Sequence, residues 1–152
     1  MSDEYGPGAI DHFTSPRNVG AVEEPDGKGS DANPSCGDRT TITLRLADGR
    51  VAEARFRTFG CTAAIAAASA LTELATGRPV EEAARLGPGE VIAALGGLPE
   101  RKEACALMAV GALRAALLDA SLRGVPGEGG LGPTEPQGPR EPARRSQAGT
   151  GA

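Results

Sequence analysis

The sequence is poor in aromatic residues, histidine and cysteine. Its 152 residues include no Trp, one Tyr, three Phe, one His and three Cys. With so few aromatic side chains, the hydrophobic core must consist of Ala, Leu, Val and Ile, in a chain long enough for one modest domain. The formal net charge of -4 argues against a nucleic-acid-binding surface, because such a surface needs an excess of basic residues.

Long hydrophobic runs are also missing. No apolar run approaches the roughly 20 residues of a membrane span, so we predict no membrane association. Residues 1–5 are acidic and lack the basic and apolar segments of a signal peptide, and we expect a cytoplasmic protein. In that reducing compartment, three cysteines are expected to bind metal or to act in catalysis rather than to form disulfides. Three unrelated buried thiols are the alternative.

Alternating polar and apolar residues predict a β-hairpin over residues 41–57. Residues 41–46 and 52–57 alternate with the period of half-buried strands, and Asp48 and Gly49 provide a tight turn between them. An edge strand is expected at about residues 28–32. The apolar side chains of the hairpin should face a layer of helices, and they are Ile42, Leu44, Leu46, Ala52, Ala54 and Phe56.

After Gly60 the apolar period changes to that of helices. A helix is predicted to begin at Cys61 and to end at Gly77, and further helices are predicted at about residues 80–85 and 88–95. The last helix should run from about 101–103 to 122 and bury a stripe of Ala106, Val110, Leu113 and Leu117. Before residue 20, an amphipathic segment should use Ile10, Phe13 and Val19 as its apolar contacts. His12 is expected to be a surface or packing residue rather than a metal ligand.

The end of the chain differs in composition. Of the last 30 residues, 13 are Gly or Pro, which favours a disordered tail. We therefore predict an α+β fold, with a three-stranded antiparallel sheet and helices packed on it, over residues 1–122, and a Gly/Pro-rich tail over residues 123–152.

The three cysteines lie in distinct local contexts. Cys61 follows a predicted strand and begins a helix, and Cys105 lies in the first turn of the last helix. Because a helix N-terminus stabilises a thiolate, these two residues are expected to serve as nucleophiles or metal ligands. Cys36 lies in a Gly-flanked loop two residues before Asp38, whose carboxylate could supply an oxygen ligand. Such an oxygen ligand would make one corner of a thiolate site exchangeable.

Four segments resemble one known family. They are residues 15–20 (Ser-Pro-Arg-Asn-Val-Gly), 33–38 (Asn-Pro-Ser-Cys-Gly-Asp), 59–61 (Phe-Gly-Cys) with the Ala-rich helix that follows, and 94–99 (Ala-Leu-Gly-Gly-Leu-Pro), which leads to Cys105. In this order the segments resemble the IscU/NifU-type iron–sulfur cluster assembly scaffolds. The resemblance covers about residues 9–122 and implies an IscU/SufE-like fold.

The resemblance implies a scaffold or carrier protein rather than an enzyme. It implies assembly of a transient [2Fe–2S] cluster from iron brought by an iron donor and from sulfur brought as persulfide by a cysteine desulfurase. The finished cluster would pass to recipient proteins. By the same resemblance Cys36, Cys61, Cys105 and Asp38 hold the metal or cluster, and Asp38 keeps the cluster labile. Cys105 is the main candidate for sulfur acceptance, and Cys61 is the second.

Two departures from the family pattern matter. Many IscU-type members have His immediately before the third cysteine, where this chain has Ala104. Because zinc accepts three thiolates and one oxygen, the alternative function is a SufU-like, zinc-bearing protein that accepts sulfur and stimulates a cysteine desulfurase. Zinc could also occupy the cluster-free scaffold. However, the insertion that SufU proteins carry before the third cysteine is absent. A non-metal interaction domain with inert cysteines is the third interpretation.

The second departure lies in a loop that precedes Cys105. Leu98, Pro99 and Lys102 match the loop by which the family binds a heat-shock chaperone pair, whereas Glu100 and Arg101 do not match. The resemblance therefore implies this chaperone pair as a further partner.

Overall fold

The protein is built on one antiparallel sheet that is covered by helices. The computed structural model describes residues 5–33 and 37–124. Cys36 and all but the first two residues of the predicted tail lie outside these residues. The sheet has the order β1 (Gly27–Asn33), β2 (Asp38–Ala47) and β3 (Arg50–Phe59). The helices are α1 (Pro7–Thr14), α2 (Thr62–Ala75), α3 (Val80–Ala84), α4 (Pro88–Leu95) and α5 (Glu103–Leu122), which follows a 3₁₀ helix (Glu100–Lys102). The predicted α+β fold is confirmed.

The β2–β3 hairpin turns at the predicted dipeptide. Asp48 and Gly49 have φ values of 56° and 75°, as a two-residue hairpin turn of type I′ requires. A register shift between Arg45 and Leu46 brings Leu46 opposite Val51. Val51 is therefore buried, Leu46 is half-buried and Ala52 is exposed. The prediction was therefore wrong for Ala52, because strict alternation does not allow for a bulge, whereas the half-buried Leu46 packs against the core as predicted.

Helices α2 and α5 form the core with the sheet. Ten of the 14 residues of α2 are buried. The predicted stripe of α5 is confirmed, since Ala106, Val110, Leu113 and Leu117 are buried. Helix α5 lies so close to β1 that a Cβ atom at Gly27 or Gly29 would collide with its backbone at Ala116. This contact needs glycine at both positions of the strand.

By length and composition, the segment Glu100–Leu122 could cross a membrane. It has 23 residues, a mean hydropathy of 1.6 in its most apolar window, and 56% of that window is buried within the protein. The prediction that no segment is long and apolar enough was therefore wrong. The helix packs on β1 and β2 as the central helix of a globular domain does, which explains its apolar composition.

The N-terminal helix is packed differently from the prediction. Ala9 and His12 face the interior, whereas Ile10, Phe13 and Val19 are exposed by 46%, 41% and 53%. The His12 ring can be buried because its Nδ1 lies 2.7 Å from the Oγ of Ser69 in α2, in a buried hydrogen bond. This contact makes His12 a packing residue, one of the two roles expected for it.

Candidate functional site

Asp38 is the first residue of β2 and lies on the face of the sheet that carries the helices. Because side chains alternate along a strand, Asp38 shares this face with Thr40, Ile42 and Leu44, all of which are buried. Asp38 itself is 8% exposed. Its carboxylate is therefore held at the end of the sheet near the beginning of α2.

The two described cysteines lie at the beginnings of the two core helices. Cys61 is the N-cap residue of α2, and its carbonyl oxygen accepts hydrogen bonds from the N–H groups of Ala64 and Ile65. Cys105 is the third residue of α5. The two Sγ atoms are 3.7 Å apart, well beyond the roughly 2.05 Å of a disulfide, so both thiols are free.

Asp38, Cys61 and Cys105 form one cluster of donor atoms. One carboxylate oxygen and the two sulfur atoms all lie within 4.8 Å of one another. Two sulfurs bound at about 2.3 Å to a tetrahedral zinc ion would be about 3.8 Å apart, close to the spacing that the free thiols already have. The donor set therefore fits a thiophilic metal ion.

The protonation of Cys105 differs from the prediction. Burial is the largest of the causes that together raise the pKa of the Cys105 thiol to about 12; the neighbouring Cys61 and Asp38 act in the same direction, and the ammonium of Lys102 opposes them. We expected the helix N-terminus to favour the thiolate at this position. The prediction was wrong for Cys105 because loss of hydration outweighs the helix dipole at a thiol that is 4% exposed.

Lys102 also belongs to this site. From the sequence, we considered it only as part of a loop that binds a partner. The sulfur of Cys61 is the main cause that raises the pKa of Lys102, with smaller contributions from Tyr5 and Cys105. The signal was available in the sequence, because Lys102 precedes Cys105 by three residues and residues at this spacing share a helix face.

The remaining predicted positions lie as follows. Cys36 is outside the described residues. Ala104 is exposed and supplies no donor atom. His12 contacts Ser69 and lies 3.4 Å from a carboxylate oxygen of Glu73, so its ring is engaged by α2.

Comparisons with known proteins agree with this architecture. Residues 4–124 match the model of the family described as NifU-like N terminal domain. The chain is 47% identical over 115 residues to the iron-sulfur cluster assembly scaffold protein IscU 1 of Archaeoglobus fulgidus, which covers 76% of this chain and 75% of that protein. It is 40% identical over 121 residues to the protein of the same description, IscU, from Aquifex aeolicus, with 78% and 77% covered.

Two solved structures share the fold. The N-terminal part of a NifU-like protein from Brucella abortus has a TM-score of 0.64 at 18% identity and covers 80% of this chain and 97% of its own. FiSufU, a protein of the SUF system from Fervidobacterium islandicum AW-1, has a TM-score of 0.64 at 19% identity and covers 77% and 98%. The family model and the two IscU relatives show that the chain belongs to the IscU/NifU family, as a NifU-like N-terminal domain.

Proposed function

We propose that the chain is a scaffold on which iron–sulfur clusters are assembled and from which they pass to other proteins. The observation that carries this proposal is the convergence of Asp38, Cys61 and Cys105 within 4.8 Å. Thiolates are the protein ligands of iron–sulfur clusters, and a carboxylate oxygen is a harder ligand that leaves iron more readily. The site would therefore hold a transient [2Fe–2S] cluster as cargo.

Cys36 would supply the third thiolate. It precedes Asp38 by two residues, in the connection between β1 and β2. The N–H of Gly37 donates a hydrogen bond to the carbonyl oxygen of Asn33 at 2.8 Å, which holds the two flanks of this connection together next to Asp38. This proximity along the chain supports Cys36 as a ligand.

Sulfur would arrive as a persulfide from a cysteine desulfurase. The family resemblance favours Cys105 as acceptor, but its thiol is buried and its pKa is raised to about 12. Cys61 is half-buried and lies beside the ammonium group of Lys102. We therefore propose that the Cys61 thiolate attacks the terminal sulfur of the desulfurase persulfide. The desulfurase S–S bond breaks, a new S–S bond forms on Cys61, and the desulfurase cysteine leaves as thiolate.

Anaerobic reconstitution tests the scaffold function. The protein is supplied with ferrous iron, cysteine, a reductant and a desulfurase, and the visible absorption of the cluster is recorded. We expect a cluster on the wild type and little or none on Cys61→Ser and Cys105→Ser. Glu82→Gln, which removes an exposed charge from α3, should behave as the wild type. Absence of a cluster on the wild type would contradict the proposal.

A second candidate function is zinc-dependent sulfur acceptance. The 3.7 Å separation of the Cys61 and Cys105 sulfurs favours it, because it is close to the spacing that tetrahedral zinc requires. This function predicts one zinc ion per chain after purification, faster desulfurase turnover and no transfer of a cluster to an acceptor. Because a scaffold can also bind zinc, the transfer measurement separates the two functions.

Recipient proteins and a desulfurase are the partners that the proposed function requires. The chaperone pair implied by the loop before Cys105 has less support. Leu98 and Pro99 are buried, and only Glu100 and Arg101, which depart from the family loop, are exposed. A chaperone would have to draw the buried pair out of the domain in order to bind it. A cytoplasmic location also stays a prediction.

A further inference from the structure

Gly60 connects β3 to Cys61 and lies opposite Asp38. The β2–β3 ladder ends at the pair Arg39 and Phe59, and Asp38 and Gly60 are the next residues beyond this pair. The space that a side chain at Gly60 would fill is already taken. A Cβ atom built there would lie 2.5 Å from Cγ, 2.8 Å from Oδ1 and 2.9 Å from Cβ of Asp38. The Asp38 side chain thus folds directly over the backbone of Gly60.

The backbone itself does not require glycine at this position. Gly60 is absent from the glycines with a positive φ, so an alanine could adopt its conformation without strain. Real Cβ atoms essentially never approach other atoms within 3.0 Å, and the three atoms nearest to a Cβ at Gly60 all belong to the side chain of Asp38, which therefore obstructs alanine. Rotation about χ1 would remove the carboxylate from the collision, and a backbone shift of a few tenths of an ångström would relieve the contact with Cβ.

We propose that Gly60 is a positioning residue for the cluster ligands, because its missing side chain lets the Asp38 carboxylate fold over the chain toward Cys61 and Cys105. This inference rests on the proposed function, since it concerns the same donor atoms. Gly60→Ala would displace the carboxylate and leave the two thiols in place. The family resemblance accounts for Asp38 as a ligand, and the packing adds the reason why a glycine precedes Cys61.

The experiment uses metal ions alone as probes of the full-length protein. Co²⁺ binding is measured by its thiolate charge-transfer absorption, and the ligand set is measured by the ¹¹³Cd chemical shift. Asp38→Ala and Gly60→Ala should both weaken Co²⁺ binding by about tenfold or more, the range seen when groups that orient ligands are removed. The two variants should have the same ¹¹³Cd chemical shift, and this shift should differ from that of the wild type. The charge-transfer absorption per bound Co²⁺ should not change, because both thiolates remain.

The double variant Asp38→Ala/Gly60→Ala tests whether Gly60 acts through Asp38. It should bind Co²⁺ within about twofold of Asp38→Ala alone, because non-additive effects identify residues that act as one unit. Gly89→Ala is the matched control. A Cβ atom at Gly89 meets nothing within 4 Å and its φ is not positive, so Co²⁺ binding should not change.

The outcomes are distinguishable. If Gly60→Ala has the affinity and ¹¹³Cd shift of the wild type while Asp38→Ala does not, the positioning role is overturned and the scaffold proposal stands. The positioning role would also be overturned if Gly60→Ala weakened Co²⁺ binding by the same factor in the Asp38→Ala background as in the wild type. If Asp38→Ala itself matches the wild type, the ligand assignment falls and the inference falls with it. Should Gly60→Ala fail to fold, Asp38→Gly/Gly60→Ala must fold, because the whole colliding side chain of Asp38 is gone; failure of both would contradict the inference.

Discussion

Replacing Cys61 with serine should make the buried thiol of Cys105 more reactive. In the wild type, burial is the main cause that raises the Cys105 pKa to about 12, and Cys61 is the next largest cause through its charge and its hydrogen bond. Asp38 acts in the same direction and Lys102 in the opposite one. Cys61→Ser should therefore lower the pKa, Asp38→Asn should lower it less, and Lys102→Met should raise it.

The size of the effect follows from the thiolate fraction. At pH 8, a pKa of about 12 leaves about one Cys105 side chain in 10,000 as thiolate, against about one in ten for an ordinary thiol of pKa 9.0. A more basic thiolate is also a stronger nucleophile in thiol–disulfide exchange. With a Brønsted slope of about 0.4–0.5, this offsets part of the decrease in rate that the smaller thiolate fraction causes. Reaction of Cys105 with a dithiodipyridine should therefore be about 30- to 60-fold slower than that of an exposed thiol. Each pKa unit recovered by substitution should accelerate it by about three- to fourfold.

The assay follows each cysteine separately by mass spectrometry of the modified peptides, with metal-free protein at several pH values up to 9.5. The wild-type rate at Cys105 should rise about tenfold per pH unit without reaching a plateau. Cys61→Ala should behave as Cys61→Ser does, since both remove the thiol. A Cys105 rate that is unchanged in both variants, or that increases in Lys102→Met, would refute the electrostatic account of the site.

Two further predictions concern the fold. Burial and the charge of Arg17 lower the pKa of His12 below its ordinary value of 6.5, against the opposing charges of Glu73 and Asp11. The unfolded chain therefore binds more protons below about pH 6.5, and the free energy of unfolding should fall as the pH decreases through that value. His12→Asn keeps a hydrogen-bonding group near Nδ1 and should flatten this dependence in urea unfolding; an unchanged slope would contradict it. Leu113→Ala should cost about 2–5 kcal/mol, because the side chain is fully buried in the core. The matched Leu118→Ala, at a side chain that is 59% exposed, should change stability by about 0.5 kcal/mol or less, and equal losses would contradict the packing.

Local patterns were sufficient to predict the elements of the fold. The alternation along β2, the Asp48–Gly49 turn and the stripe of α5 depend on neighbours in the sequence, and all three were confirmed. The bulge after Arg45 was not predictable in this way, because it depends on how two strands pair. The exposure of Ile10 and Phe13 also depends on which face of α1 meets α2, and the sequence period alone favoured the wrong face.

The candidate site, too, could be predicted only in part from the sequence. The motifs identified Asp38, Cys61 and Cys105 as candidates, and the structure brings these three together. Their electrostatics required the three-dimensional packing, because the helix position of Cys105 predicted a lower pKa and its burial raises it. The contact between Gly60 and Asp38 was equally invisible in the sequence, since it arises just beyond the last pair of residues in the β2–β3 ladder.

Cluster transfer tests the central claim most directly. The wild-type protein is loaded anaerobically with a [2Fe–2S] cluster and mixed with an apo-ferredoxin, and the circular dichroism of the ferredoxin cluster is followed with time. We predict that the cluster moves from the wild-type protein to the ferredoxin. A loaded wild-type protein that never yields its cluster, or a protein that binds only zinc and yields none, would contradict the account.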